Sequence, residues 1–308
     1  MNSNIPPCAE DELPKESFVE RGLVFAIIVL PFAGLIYAVV SACIHGVSIF
    51  YPLLTVILYV PTGLGITVGF HRLFTHESFK TYAPVRFLFA ILGAVAVQGR
   101  LIEWCARHHT HHQQSDKEGD PHSPWRYGKT PKAVFRGFWW AHFGWILSAQ
   151  RPIKNSCQQR LADDFITNFV NRTPLLWMFV SVAVPILAGY AYDHSWNGVW
   201  NGFLWGFLIR LFLVQHVTWI INSWCHIWGR RPFKTKDQSQ DSLLWTVVGF
   251  GEGAHNGHHA FPRSPIHAIF HPWLDTSYLV IKFLELVGLA WDLKTPTEEE
   301  IERARRLV

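Results

Sequence analysis

Histidine is the residue type whose number and spacing could do chemistry in this chain. Seventeen occur in 308 residues, and most fall into groups: His71-x4-His76, then His108-His109-Thr110-His111-His112, then Asn222-x3-His226, then His255-x2-His258-His259. Neutral imidazole is the commonest metal-ligand side chain near neutral pH. Residues three or four apart share one face of a helix, so His108, His111 and His112 can aim three nitrogens at one point, and His255, His258 and His259 can do the same. Asn222 and His226 stand in that relation too. His71 and His76, five apart, do not share an α-helical face; they converge only if a helix ends there, with His71 on its last turn and His76 just beyond. That makes nine imidazoles. A zinc site closes with about four ligands, so nine suit two transition-metal ions, each with four or five nitrogens and room for water or O2. Spacing alone does not choose among iron, zinc, copper and nickel.

The remaining histidines read differently. His45, His142, His194, His216, His267 and His271 stand alone and are expected to pack or hydrogen bond, and His109 lies off the ligand face. Metal-bound rings are usually held from behind by further hydrogen-bonding groups; Asp120, His122, Glu252 and Asn256 are the candidates, and Asn222 is expected to reach a metal through water.

The elements that must position these side chains follow from charge. Only 16% of residues are charged, against about a quarter in ordinary soluble domains. Residues 22–43, 48–70 and 173–192 carry no charge, and 198–221 carries only Arg210. Each run matches the ~20 residues a helix needs to cross a bilayer core, which predicts four transmembrane helices. The connections 44–47 and 193–197 contain no Lys or Arg, whereas 71–172 contains fourteen and the chain after 221 contains ten. Basic residues collect on the cytoplasmic side, so a multi-pass protein is expected with both termini and every histidine cluster in the cytosol. The cap would comprise 71–172 and 222–291, with tails at 1–21 and 292–308. The first 20 residues are polar and acidic, unlike a cleavable signal. Cys8, Cys43, Cys105, Cys157 and Cys225 show neither pairing nor metal spacing and are expected to be free thiols. The formal net charge of +4 sits mostly on the cap, a basic surface for an acidic partner or a phosphate-bearing carrier.

No repeat or linker marks a second domain, no β-alternation stands out, and the cap reads as largely helical. The uncharged run 87–99 is too short to span. Residues 135–147 are dense in aromatics, consistent with an interfacial belt. Residues 275–289 form an amphipathic helix, with Leu279, Phe283 and Leu286 on one face, packed on the cap or laid on the membrane. The tail from Glu298 to Arg306 runs acidic to basic, as a solvated helix does.

The order and wording of these motifs resemble the integral-membrane fatty acid desaturases, closest to the Δ9, stearoyl-CoA desaturase-like branch without a fused cytochrome b5 domain. The likeness is carried by Gly69-Phe70-His71-Arg72-Leu73-Phe74-Thr75-His76, by His108 through Asp120-Pro121-His122, by His142-Phe143-Gly144-Trp145, by Thr218-Trp219 through Asn222-Ser223 and His226, by Arg231-Pro232-Phe233, and by Gly251-Glu252-Gly253-Ala254-His255-Asn256-Gly257-His258-His259 with Phe261-Pro262. It covers roughly residues 25–290.

The resemblance implies an all-α integral membrane fold: four transmembrane helices under a cytosolic helical cap, mushroom-like in shape, carrying a di-iron site. It implies two iron ions held by His71, His76, His108, His111, His112, His226, His255, His258 and His259, Asn222 acting through water, a kinked tunnel for the acyl chain, and O2-dependent insertion of a cis double bond into a long-chain saturated acyl group. Electrons would come from a separate protein, of ferredoxin, cytochrome b5 or NAD(P)H reductase type. One departure concerns the carrier. Where the animal enzymes have an Arg and an Asp before the second cluster, this chain has Ala106 and Arg107, leaving acyl-CoA, acyl carrier protein or intact lipid open. Arg72, Glu103, Trp104 and Arg107 are the headgroup candidates.

The chemistry agrees. Removing hydrogen from an unactivated CH2 needs an oxidant stronger than any side chain, which a redox metal and O2 supply; zinc would act only as a Lewis acid. Two other readings are an acyl or alkyl hydroxylase at the same kind of centre and a membrane metal-binding or transport protein. The last predicts ligands within the spans, where only Arg210 and a few polar residues such as Gln215 lie.

Overall fold

The computed structural model describes residues 18–148 and 153–305, with side chains from residue 22 onward. Cys8 and Arg306, and most of the acidic N-terminal tail, lie outside the described residues. Among the described residues, four helices are long and apolar enough to cross a membrane: Gly22–His45, Phe50–Thr75, Pro174–Asp193 and Trp196–Trp224. They extend the uncharged runs by up to a few residues, because a helix continues until its hydrogen bonding is interrupted rather than where charge begins. Only 17% of the first and 22% of the third are buried, against 56% and 61% of the second and fourth. The second and fourth therefore form the inner pair, and the outer two present side chains such as Phe25, Val40, Phe179 and Leu187 outward.

Small residues set how closely the third and fourth spans approach. Gly198, Gly202 and Gly206 recur every fourth residue, the pattern that lets membrane helices meet backbone to backbone. A Cβ on Gly202 would stand 2.3 Å from the carbonyl oxygen of Pro185 and 3.2 Å from Cα of Gly189. The one charge in these runs, Arg210, is fully used inside the bundle. Its Nη2 donates to Ser181 Oγ (2.6 Å), its Nη1 to the Val95 carbonyl (3.1 Å) and its Nε to the Gly206 carbonyl (3.3 Å). It ties the two spans to the turn after Ala83–Ala94, the short apolar helix that the 87–99 run foreshadows.

The described residues between and after the two pairs of spans gather at one end of the bundle, largely as short helices. Leu101–Gln114 and His255–Ala260 bear two of the histidine groups. One feature the sequence reading did not expect is a two-residue antiparallel ladder, Lys80 opposite Trp291 and Thr81 opposite Ala290. The amphipathic stretch forms a helix, Thr276–Leu286, but its apolar stripe is not packed on the cap: Phe283 is 61% and Leu286 83% exposed, while Ser277 and Ile281 are buried. The tail helix Glu298–Ala304 has a reciprocal cap between Thr297 and Glu300 and ion pairs from Arg303 to Glu299 and Arg305 to Glu302. Cys43, Cys105, Cys157 and Cys225 are free.

Overpacking a tight contact typically costs about 1–3 kcal/mol. Gly202→Leu is therefore expected to lower the thermal midpoint of the purified, detergent-solubilised protein sharply. Leu187→Ala, on the outward face, should change stability by no more than about 0.5 kcal/mol. Equal effects of the two would contradict the packing described.

Candidate metal centre

Each histidine group is delivered by a different kind of element. The second span changes from α to π geometry over Gly65–Thr75. A π-helix closes i to i+5 hydrogen bonds, and the last of these, His76 N to His71 O, is 3.1 Å. This removes the five-residue spacing difficulty: in π geometry His71 and His76 stand one above the other, ring centroids 4.8 Å apart. The fourth span ends at Trp224, so Asn222 lies on the helix and His226 in the turn beyond it. The expectation that both share one helical face is thus corrected. His255–Ala260 is a single helical segment whose first N–H groups are capped by Asp241, Oδ1 accepting from Asn256 N (2.7 Å) and Gly257 N (3.2 Å).

These elements bring nine imidazoles to one place in two sets. Ligand-capable nitrogens of His71, His76, His108, His112 and His258 lie within 4.8 Å of one another, and so do those of His111, His226, His255 and His259. The sets touch: the rings of His112 and His259 stack at 4.4 Å.

Hydrogen positions follow from the partners. His71 Nδ1 faces Glu252 (2.5 Å), His111 Nδ1 Asp120 (3.0 Å), His226 Nδ1 Asp116 (2.9 Å) and His259 Nδ1 Asp237 (2.9 Å). An ionised carboxylate only accepts, so each ring carries its hydrogen on Nδ1 and presents Nε2 as a bare lone pair. Those lone pairs then face other Nε2 atoms: His226 and His259 both approach His255, at 3.0 and 3.1 Å. A neutral ring has one N–H and cannot satisfy both. In the other set the Nε2 atoms run His71, His258, His112, His108, His76 at 3.0, 2.8, 3.0 and 3.1 Å. His111 Nε2 is buried without a partner. Metal–imidazole bonds of about 2.0–2.1 Å at right angles would set neighbouring nitrogens about 3 Å apart, so the residues present fit a cation in each set.

Electrostatics sets one ring, His226, apart from its neighbours. Burial, reinforced by neighbouring imidazoles, holds His76, His108, His112, His255 and His258 well below the usual histidine range. Burial also takes His259 down, to about 4, even with Asp237 beside it. His226 differs: burial lowers it, but the charge and hydrogen bond of Asp116 outweigh that and raise it overall.

The supporting groups are partly those the sequence suggests. Asp120 and Glu252 hold ligand rings, and His122 stacks on His111 at 4.3 Å. Asn256 faces away from the rings; it accepts from Phe233 N (2.7 Å) and fixes the 233–239 loop. Asp116 and Asp237 escaped notice, since nothing in their local spacing links them to a histidine; Asp237 sits in an irregular loop, 22 positions before its partner. His267 is also more than a packing residue. Its Nδ1 accepts from Arg72 Nη2 (3.0 Å), and its ring lies 4.2 Å from that of His258.

Arg72 is corrected. As a headgroup contact it would need to be reachable, yet it is wholly buried, donating to Asp275 (2.8 Å) and pairing with Glu252 (3.3 Å). Glu103, Trp104 and Arg107 do line a large, partly open cavity, together with Arg100 and the first-span residues Val24 and Ile27. A second, smaller and more apolar cavity is lined by His71, His108, Glu252 and His255 and by Tyr59 and Gly63. Trp104, His108, Thr218 and Asn222 line both. These four residues form a wall common to both cavities. Of the solitary histidines, His45 and His194 end the first and third spans, away from the centre. His142 bonds to His216 and Ser223, both at 3.0 Å.

Protons compete with a cation for imidazole. Because Asp116 raises the proton affinity of His226 while burial holds His76, His108, His112 and His258 down, metal in the four-histidine set is expected to leave at a higher pH than metal in the five-histidine set. Elemental analysis across an acid titration would show two steps, and a single step would contradict this. Loss of a ligand-orienting carboxylate costs about 10–100-fold in metal affinity, so Asp237→Asn should weaken one equivalent by that factor and spare the other.

Comparison with known proteins agrees with this geometry. The fatty acid desaturase family model matches residues 46–269. The chain is 34% identical over 276 residues to the hex-5-enoyl-[acyl-carrier protein] acetylenase of Moorena producens (strain JHB), covering 89% of this chain and 86% of that protein. It is 34% identical over 251 residues to Delta-9 acyl-lipid desaturase 1 of Arabidopsis thaliana (80% and 76% covered). To the sn-1 stearoyl-lipid 9-desaturase of Anabaena variabilis it is 33% identical over 244 residues (79% and 83%). With the match running from the first connection through the last histidine group, this chain belongs to the fatty acid desaturase family, membrane oxidoreductases that act on fatty acyl chains.

Proposed function

We propose that the protein is an O2-dependent, di-iron acyl desaturase that places a cis double bond, at Δ9, in a long-chain saturated acyl group. The observation that carries this reading is the smaller cavity. Its wall includes His71 and His108 from one histidine set and His255 from the other, and the rest is largely apolar: Ile66, Val214, Val217, Ile221 and Phe250. An acyl chain lying there would pass both sets.

The nine histidines are the proposed ligands, with Asn222, which lines both cavities, reaching a metal through water. Bound iron would supply the O2-reducing chemistry that no side chain offers. In the net reaction two neighbouring carbons each lose a hydrogen, O2 becomes two waters, and two electrons and two protons arrive from a separate donor protein. The chain's own residues do three things in it. Glu252, Asp116, Asp120 and Asp237 keep four rings in one tautomer and orientation. The apolar wall holds the chain and excludes water, which limits side reactions. Trp104, stacked on His108 at 5.3 Å, stands in the wall common to both cavities, where a chain running from one to the other would pass.

The charged end of the larger cavity, with Arg100, Glu103 and Arg107, is where the carrier would sit. The distribution of Lys and Arg supports a cytosolic location for that end, the histidines and both termini. The Δ9 position is supported by the names of three relatives, others being named for positions 5 and 7, and relatives' names also include acyl-lipid, acyl-CoA and acyl-carrier protein donors.

Lipid analysis of a desaturase-deficient host tests the proposal. Expression of this chain is expected to yield monounsaturated acyl groups, and His258→Ala to abolish them. Purified iron-loaded protein, given a reductase, O2 and each of the three donor types, should show which carrier is used. Hydroxylated rather than unsaturated product would make the protein a hydroxylase instead.

A further inference from the structure

Phe250 has a left-handed backbone, with φ of +55°. That is a genuine outlier for a bulky side chain, and such strain persists only where the surroundings impose it. Here they do so from both sides. The Phe250 carbonyl accepts from Ser277 N (3.1 Å), and Gly251 N donates to the Thr246 carbonyl (2.7 Å). Two residues further on, Glu252 holds His71. The result is a turn that delivers a carboxylate to the metal centre and an aromatic ring to the cavity beside it.

The ring has a prepared seat. It lies across Gly63 of the second span, where a Cβ would come within 2.2 Å of Phe250 Cε2. Its neighbour is Tyr59, centroid 5.2 Å away, whose hydroxyl donates to the Val248 carbonyl (2.8 Å). Gly63 is eight residues deeper in the span than His71, about two turns. Tyr59, Gly63 and Phe250 therefore occupy the end of the smaller cavity away from the histidines.

We infer that Phe250, seated on Gly63 and braced by Tyr59, is the stop that limits how far an acyl chain extends beyond the metal centre, and so determines the chain length the enzyme accepts. This rests on the desaturase reading. A chain whose far end meets the ring cannot advance further, and one extra methylene in an apolar pocket is worth about 10–200-fold in discrimination.

The test is the ratio of longer to shorter unsaturated products in a desaturase-deficient host supplied with saturated fatty acids of several lengths. Glycine is at home at positive φ, so Phe250→Gly keeps the turn while removing the ring. Its expected effect is a shift of about tenfold toward longer chains, with metal content unchanged. Gly63→Ala drives the ring into the cavity and should shift products toward shorter chains. It is the independent check should Phe250→Gly lose metal or accumulate poorly. A metal-loaded Phe250→Gly protein with the wild-type length profile overturns the inference, and so does faster turnover at every length without a shift. If the wild-type chain itself makes no unsaturated product, the desaturase reading has failed and this inference falls with it.

Discussion

Lone pairs pointed at lone pairs are the constraint on which this structure depends. Nine imidazoles converge at one end of a helical bundle, and the carboxylates behind four of them leave no hydrogen on the nitrogens that face inward. Buried polar groups without partners are costly, and bringing several acceptors to within about 3 Å of one another adds repulsion to that cost. The arrangement is favourable only with positive charge between the rings. Binding energy at such a site is available to folding itself, because the preformed site rarely exists in the unfolded chain. On this view the histidines organise the cap rather than decorate it.

The supporting charges follow from the same constraint. Asp116, Asp120, Asp237 and Glu252 each accept from one ring, and each has further donors that hold it in place. Asp237 accepts from Ser239 N and Oγ, Asp116 from Gln238 N, and Asp120 from the backbone of Asp116 and His122. Asp120 and Asp237, though pushed up by burial, end well below the usual carboxylate range because of these partners. Arg72 completes the set on the membrane side: it meets Glu252, Asp275 and His267 at once, so its position next to His71 serves the interior of the site. A guanidinium so completely enclosed is out of reach of a substrate headgroup.

How much of this was legible in the sequence depends on the range of the interaction. The spans were legible because their signal is local: twenty uncharged residues leave little choice in a bilayer. The triplets at His108 and His255 were legible because helical spacing maps sequence offset onto a face. His71 and His76 fall on the last turn of a helix and just beyond its end, as their spacing required, but that last turn is π, a backbone choice the α-helical rule does not anticipate. Asp237 and His267 were missed because they reach the centre from loops, where offset carries no geometric meaning. Arg72 was misassigned for a related reason: next to a cluster, a charge looks available until Asp275, 203 positions away, is seen to occupy it. The exposed stripe of Thr276–Leu286 could not be settled from amphipathicity, which says that a helix has two faces but not what each one meets.

The segment from Gly249 to His259 shows how these demands are combined. Within eleven residues it supplies a wall of the apolar cavity, the carboxylate that orients His71, and His255, His258 and His259 from both sets. The segment is held at three points: Asp241 caps its helix, Ser242 N donates to the Gly253 carbonyl at 2.8 Å, and Ser277 holds Phe250. Such a segment cannot move at one end without disturbing the other. A displacement of the cavity wall would carry Glu252 with it, turn His71, and alter the donor set that the cavity exists to serve. The strained turn at Phe250 is thus best understood as the place where the geometry required by the acyl chain and the geometry required by the histidines are made to agree.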